Sequence, residues 1–198
     1  MITASDMETF DMQAATAVAR TAAKDALSLA RTFLGRFGLD IALDGDYKFE
    51  DDRSDWLGAY VDDSVFSGEI EVAVNYTLLV RKILEVPSGD LRELVRREAA
   101  TTVWHEAVHG LWQYADDLLR SDPDLWKRFL DVQGRGKTRD MFAAMDRWHE
   151  DEETCVENAA RILCRNRGNL DAAVLNGNGG RPSPECEVLA RFAKALGA

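Results

Sequence analysis

The chain has 198 residues, 46% of them hydrophobic and 30% charged, and a formal net charge of -11. That length carries one domain with a buried core, and the composition is too apolar for an intrinsically disordered chain. So acidic a surface repels phosphate backbones and anionic lipid, which argues against nucleic acid or membrane as a partner and favours neutral or cationic substrates.

The N-terminal segment is acidic and lacks a basic stretch ahead of an apolar run, and nowhere do roughly 18 apolar residues run together, the length that spans a bilayer. The three cysteines, Cys155, Cys164 and Cys186, do not make a disulfide framework and fit a reducing compartment. The expectation is a cytoplasmic protein. On a helix Cys155 and Cys164 fall on opposite faces, so they cannot share one metal and read as core residues.

In chain order, Ser5 with Glu8 forms a capping-box pattern ahead of an alanine-rich helix that ends at Phe37-Gly38. From Leu39 to Asn75 the pattern becomes extended. Asp44-Gly45 is a hairpin signal, Trp56 to Val61 a strand, and Glu69 to Val74 alternates with Ile70, Val72 and Val74 on one face. This section predicts a small antiparallel sheet. Tyr76 to Val86 is a short helix stopped by Pro87, and Ser88 caps a long helix to about Arg120. Asp122-Pro123 opens another short helix, which breaks near Gly134 and Gly136. Thr138 to Arg167 reads as one long amphipathic helix ending at Gly168. A glycine-rich loop from Asn169 follows, and Ser183-Pro184-Glu185 starts a last helix.

The predicted organisation is therefore one α+β, helix-rich domain. An N-terminal helical extension occupies 1–38, a small antiparallel sheet 39–75, two long helices 76–168, and a loop with a C-terminal helix 169–198. The tryptophans Trp104, Trp112, Trp126 and Trp148 read as core residues before they read as a specificity pocket. The Asn176 to Gly180 stretch lacks the Lys-Ser/Thr of a phosphate loop and reads as a connector.

The helix after Ser88 carries His105-Glu106-Ala107-Val108-His109, the pattern HExxH. Residues i and i+4 of a helix differ by about 40° in azimuth, so both imidazoles leave the same face one turn apart and can share a tetrahedral zinc ion. Glu106, beside the first ligand, is placed to take a proton from a metal-bound water whose pKa the metal lowers. The chain has only three histidines, and two are in this motif. A longer HExxHxxGxxH pattern is excluded, because Trp112 and Ala115 stand where glycine and histidine would be needed.

A catalytic zinc usually takes three protein ligands. Downstream, the run from Trp148 to Ala160 places Glu153 ahead of an acidic residue four positions on, Glu157, and a small residue seven positions on, Ala160. This arrangement resembles the glutamate helix of gluzincins, the thermolysin-like zinc metallopeptidases. The resemblance spans roughly Trp56 to Arg167 and implies Glu153 as the third ligand and Glu157 as the carboxylate that orients a zinc-bound histidine. Two alternatives stand beside it. Glu152 lies on the apolar stripe of Met145, Trp148, Val156 and Leu163, where a carboxylate needs a partner. His149 offers a third imidazole, a donor for an oxyanion, or an ordinary histidine at a helix boundary. Asp151 reads as surface charge.

The resemblance further implies a minimal zincin fold in which a sheet edge ahead of the HExxH helix, Glu69 to Asn75, receives an extended peptide. It implies a zinc metallopeptidase acting on a peptide or protein, with Glu106 as the general base. The rival expectations are a regulatory zinc protein that recognises a partner with little general proteolysis, and an inactive zinc protein. Oligomeric state has no signature in the sequence.

Overall fold

A computed structural model describes residues 12–45, 47–49, 55–61, 68–85, 89–132, 138–177 and 182–197. The expected capping box at Ser5 and Glu8, and the signals at Pro87, Ser88, Gly134, Gly136, Gly179 and Gly180, lie outside these residues. The architecture is α+β and helix-rich. In order the elements are helix α1 (Met12–Leu34), strands β1 (Asp40–Leu43), β2 (Gly58–Val61) and β3 (Glu69–Val74), then helices α2 (Tyr76–Glu85), α3 (Leu91–Ser121), α4 (Pro123–Asp131), α5 (Thr138–Glu150), α6 (Glu152–Arg165), α7 (Leu170–Leu175) and α8 (Pro184–Leu196).

Helix α3 is the axis of the molecule. Its 31 residues extend about 46 Å at the α-helical rise. It buries Val95, Ala99, Val103, Trp104, Ala107, Val108, Leu111, Trp112 and Ala115 against its neighbours. Asp90 caps it, its carboxylate accepting from the backbone N–H groups of Arg92 and Glu93. Helix α1 packs along it through a small-residue stripe, Ala15, Ala19, Ala22, Ala23, Ala26 and Ala30, all buried. Such short side chains let two helix backbones approach closely. A short 3-10 turn, Gly35–Phe37, then ends α1, and Gly38 adopts φ 76°, a left-handed conformation that favours glycine.

The sheet has the order β1-β3-β2. It is mixed, not antiparallel as expected. β1 runs parallel to β3 in the register Ile41↔Ile70. β2 runs antiparallel to β3 with Gly58↔Val74 and Tyr60↔Val72. Because β1 and β2 lie on opposite sides of β3, Asp44-Gly45 does not close a hairpin between them. The expected strand at Trp56 begins at Gly58. The alternation of β3 is as expected, with Ile70, Val72 and Val74 buried, but Ala73 is buried as well.

Helix α3 crosses this sheet at very short range. A β-carbon on Gly110 would stand 2.9–3.1 Å from side-chain atoms of Ile70, closer than side chains tolerate. Glycine at 110 thus sets the depth at which the helix rests on β3.

Two further departures concern the helices. The long helix expected from Thr138 to Arg167 is two, α5 and α6. Asp151 leaves the helical region (φ -149°, ψ 70°) and its side chain accepts from the Thr154 N–H, so it caps α6. The stretch from Asn169 is also not all loop, since Asn169 caps the short α7 through the Ala172 N–H. The start of α8 is as expected, with Ser183 accepting from the Cys186 N–H and Pro184 in the first turn. Trp104, Trp112 and Trp148 are core residues, Trp126 is half-buried, and Cys155 and Cys186 are buried. None of the helices described is long and apolar enough to cross a membrane.

Candidate metal centre

Three elements meet at the HExxH motif. α3 presents His105, Glu106 and His109, α6 presents its first-turn acids, and β2 lies alongside. Because α6 starts afresh at Asp151, its N-terminal turn is aimed at α3, and the partial positive charge of a helix N-terminus favours carboxylates there. Glu153 Oε1 lies 3.2 Å from His105 Nε2, and Glu153 Oε2 lies 3.2 Å from His109 Nε2. The two Nε2 atoms are 3.1 Å apart. Ligand atoms of the three residues all lie within 4.8 Å of one another, so the group could hold a metal ion. The spacing is apt, since tetrahedral ligands bound at 2.0–2.1 Å stand about 3.3 Å apart.

Glu152 approaches the same imidazole from its other side. Its Oε1 is 2.7 Å from His109 Nδ1. With Nδ1 donating to this carboxylate, the lone pair sits on Nε2 and faces His105 and Glu153. The roughly 100° between consecutive helical residues thus carries Glu152 to Nδ1 and Glu153 to Nε2. Both acids expected as rivals reach His109, in different positions.

Glu157, expected to orient a histidine, instead holds Arg161 at 2.5 Å. It acts on His105 only through its charge. His149 stands apart from the group. Its Nε2 is 3.7 Å from Asp116 Oδ1 and its Nδ1 is 3.5 Å from Arg120 Nη2, near the far end of α3. Its ring lies beside Trp112. The acid run beginning at Glu150 therefore divides, with Asp151 capping, Glu152 backing a histidine and Glu153 facing the site.

Electrostatics follow burial. Glu106 is only 7% exposed, and burial pushes its carboxyl up to about 7; nearby His109 pulls it down and Glu153 raises it further. The His105 imidazole is shifted down, first by burial and then by the neighbouring His109, against the pull of Glu153 and Glu157. For His109 burial also acts downward. The Glu152 hydrogen bond and the charges of Glu106, Glu152 and Glu153 outweigh it, so the net shift is up.

Strand β2 supplies two residues that sequence reasoning passed over. A β-carbon at Gly58 would stand 2.5 Å from Glu106 Oε1 and 2.7 Å from Thr102 Cγ2. Any larger residue there would make the carboxylate, Thr102 or the strand shift. Two residues on, and so on the same strand face, the Tyr60 ring lies against His109, with centroids 5.6 Å apart and planes 9° from parallel. A glycine inside a strand often marks a close approach, so Gly58 had a signal in the sequence. Tyr60 could be found only by placing it two residues along from that glycine.

These groups line a cavity of about 660 Å³. Strand β2 forms one wall, with Trp56, two residues ahead of it, 48% exposed. Glu98, Glu157 and Arg161 stand across from it on α3 and α6. β3, named from sequence as the edge that would receive a peptide, is instead the central strand, paired on both sides. Among the described residues the sheet edge at the cavity is β2. Comparisons of the chain with protein families, with curated proteins and with solved structures found no match.

Proposed function

We propose that the chain is a zinc-dependent peptidase of gluzincin type, with His105, His109 and Glu153 as ligands and Glu106 as the general base. The observation that carries it is the convergence of three donors on one point, in a cavity that also holds the buried carboxyl of Glu106. The donor set of two imidazoles and a carboxylate suits zinc. A fourth protein ligand is absent from the group among the described residues, as in catalytic sites, which keep a position open.

When bound, the ion supplies Lewis-acid polarisation of a carbonyl and lowers the pKa of water. Glu106 accepts the proton of the attacking water and returns it to the leaving amine. Glu152 keeps His109 in the tautomer that offers Nε2. An extended peptide lies in the cavity alongside β2, its side chains meeting the residues that line it.

Glu106→Gln keeps the shape of the side chain and cannot accept the proton. It is expected to retain one zinc per chain and to lose roughly 10²–10⁴-fold in cleavage of a mixed peptide library. Equal turnover by the variant would move the base elsewhere. A wild-type protein that binds zinc and cleaves nothing would remove the peptidase assignment.

A further inference from the structure

His109 is held more firmly than a hydrogen bond alone can hold it. Its Nδ1 meets Glu152 at 2.7 Å, and its ring plane lies within 9° of the Tyr60 ring plane. Tyr60 is itself anchored at both ends. Its backbone is paired with Val72 in the sheet, and its hydroxyl donates to Gln113 Oε1 at 2.7 Å. Gln113 lies one helical turn beyond His109 on α3. The phenol therefore bridges β2 and α3 with the imidazole against its face.

We propose that Tyr60 is a positioning residue for the metal centre, its ring fixing the plane of the His109 imidazole so that Nε2 faces His105 and Glu153. This rests on the metal-site reading above. A hydrogen bond at one ring atom fixes that atom and leaves the plane free to rock about it. A flat neighbour lying nearly parallel removes the rocking. The ligand is then ordered before the ion arrives, and the cost of ordering it does not fall on binding.

The ring and the hydroxyl make separable contributions. Phenylalanine keeps the flat face and drops only the tether to Gln113. Leucine and methionine fill the volume without a flat face. The hydroxyl tethers the phenol to Gln113, while the ring also packs against the core, so the ring is the part that acts on His109.

The test is zinc affinity by competition with a chelator, on the full chain, for Tyr60→Phe, Tyr60→Leu and Tyr60→Met. The Phe variant is expected within about threefold of wild type, and the Leu and Met variants weaker by about 10-fold or more, as for other residues that orient ligands. A second readout is the visible absorption of the cobalt-substituted protein, which reports ligand geometry and not global stability. Its bands are expected to shift in the Leu and Met variants and to return in the Phe variant. Leu and Met variants with wild-type affinity and spectra would overturn the proposal. A Phe variant as weak as the Leu variant would overturn it too, by assigning the effect to the hydroxyl. Failure of both apolar variants to fold would do the same, making Tyr60 a residue of the fold. Wild-type protein that binds zinc no better than His105→Ala would instead bring down the metal site itself.

Discussion

At Gly58 the absence of a side chain lets the Glu106 carboxylate lie close under the strand. Burial is what pushes Glu106 up to about 7, and the β2 backbone over it forms part of that burial. Gly58→Ala would set a methyl 2.5 Å from Oε1, so the carboxylate or the strand must shift. Zinc binding is expected to stay within a few-fold while turnover drops at least about 10-fold, as displacing a reacting group does. Wild-type turnover in a folded Gly58→Ala protein would show that the close contact has no catalytic meaning. The acids of α6 give a graded series. Glu153→Ala is expected to lose most zinc affinity, Glu152→Ala about 10–100-fold, and Glu157→Ala only a few-fold, because Glu157 serves Arg161. Chelator titration of the three variants reads the order, and a Glu157 effect larger than that of Glu152 would contradict it. At this scale HExxH and the run of acids downstream of it were legible in the sequence. It does not divide their positions, because the new helix starting at Asp151 leaves no break in the apolar pattern. Met145, Trp148 and Val156 are all buried, so the apolar stripe reads unbroken across the junction and hides the cap.

Among elements, several helix ends were legible, whereas the break at Asp151, the short α7 and the strand pairing were not. The end of α1 and the starts of α4 and α8 follow from local signals: Gly38 closing the first, and the Asp122 and Ser183 caps opening the other two. Strand order is a non-local property, and alternation in Glu69 to Val74 says which face is buried without saying which strands lie beside it. Alternation alone therefore does not place β3 at the centre of the sheet. The contact between α3 and β3 was equally hidden, since a lone glycine in a helix carries no information about its partner. It is nonetheless a strong constraint. Gly110→Ala would force a β-carbon to within about 3 Å of Ile70 atoms and either lift α3 or displace the isoleucine. The expected cost is about 1–3 kcal/mol, the range for overpacking, read as a lowered denaturation midpoint. If the midpoint does not fall, Ile70 can move aside and the helix does not depend on that contact. The same substitution lies next to His109, so zinc affinity is expected to fall with stability.

The molecule as a whole brings the site together from three directions that sequence separates widely. α1 backs α3 through its alanine stripe, β3 supports the middle of α3 at Gly110, and β2 reaches along the motif so that Gly58 meets Glu106 and Tyr60 meets His109. α6 completes the site from the other side. The cavity between β2 and α6, about 660 Å³, falls within the 300–1,000 Å³ usual for ligand pockets. The convergence of His105, His109 and Glu153 on one ion is the claim on which all the chemistry depends. Anomalous diffraction at the zinc edge, from crystals of the zinc-loaded protein, tests it most directly. One peak is expected at bonding distance from His105 Nε2, His109 Nε2 and a Glu153 carboxylate oxygen, with Glu152 on His109 Nδ1. The absence of a peak between those three residues, or a single peak beside His149 or a cysteine, would contradict it.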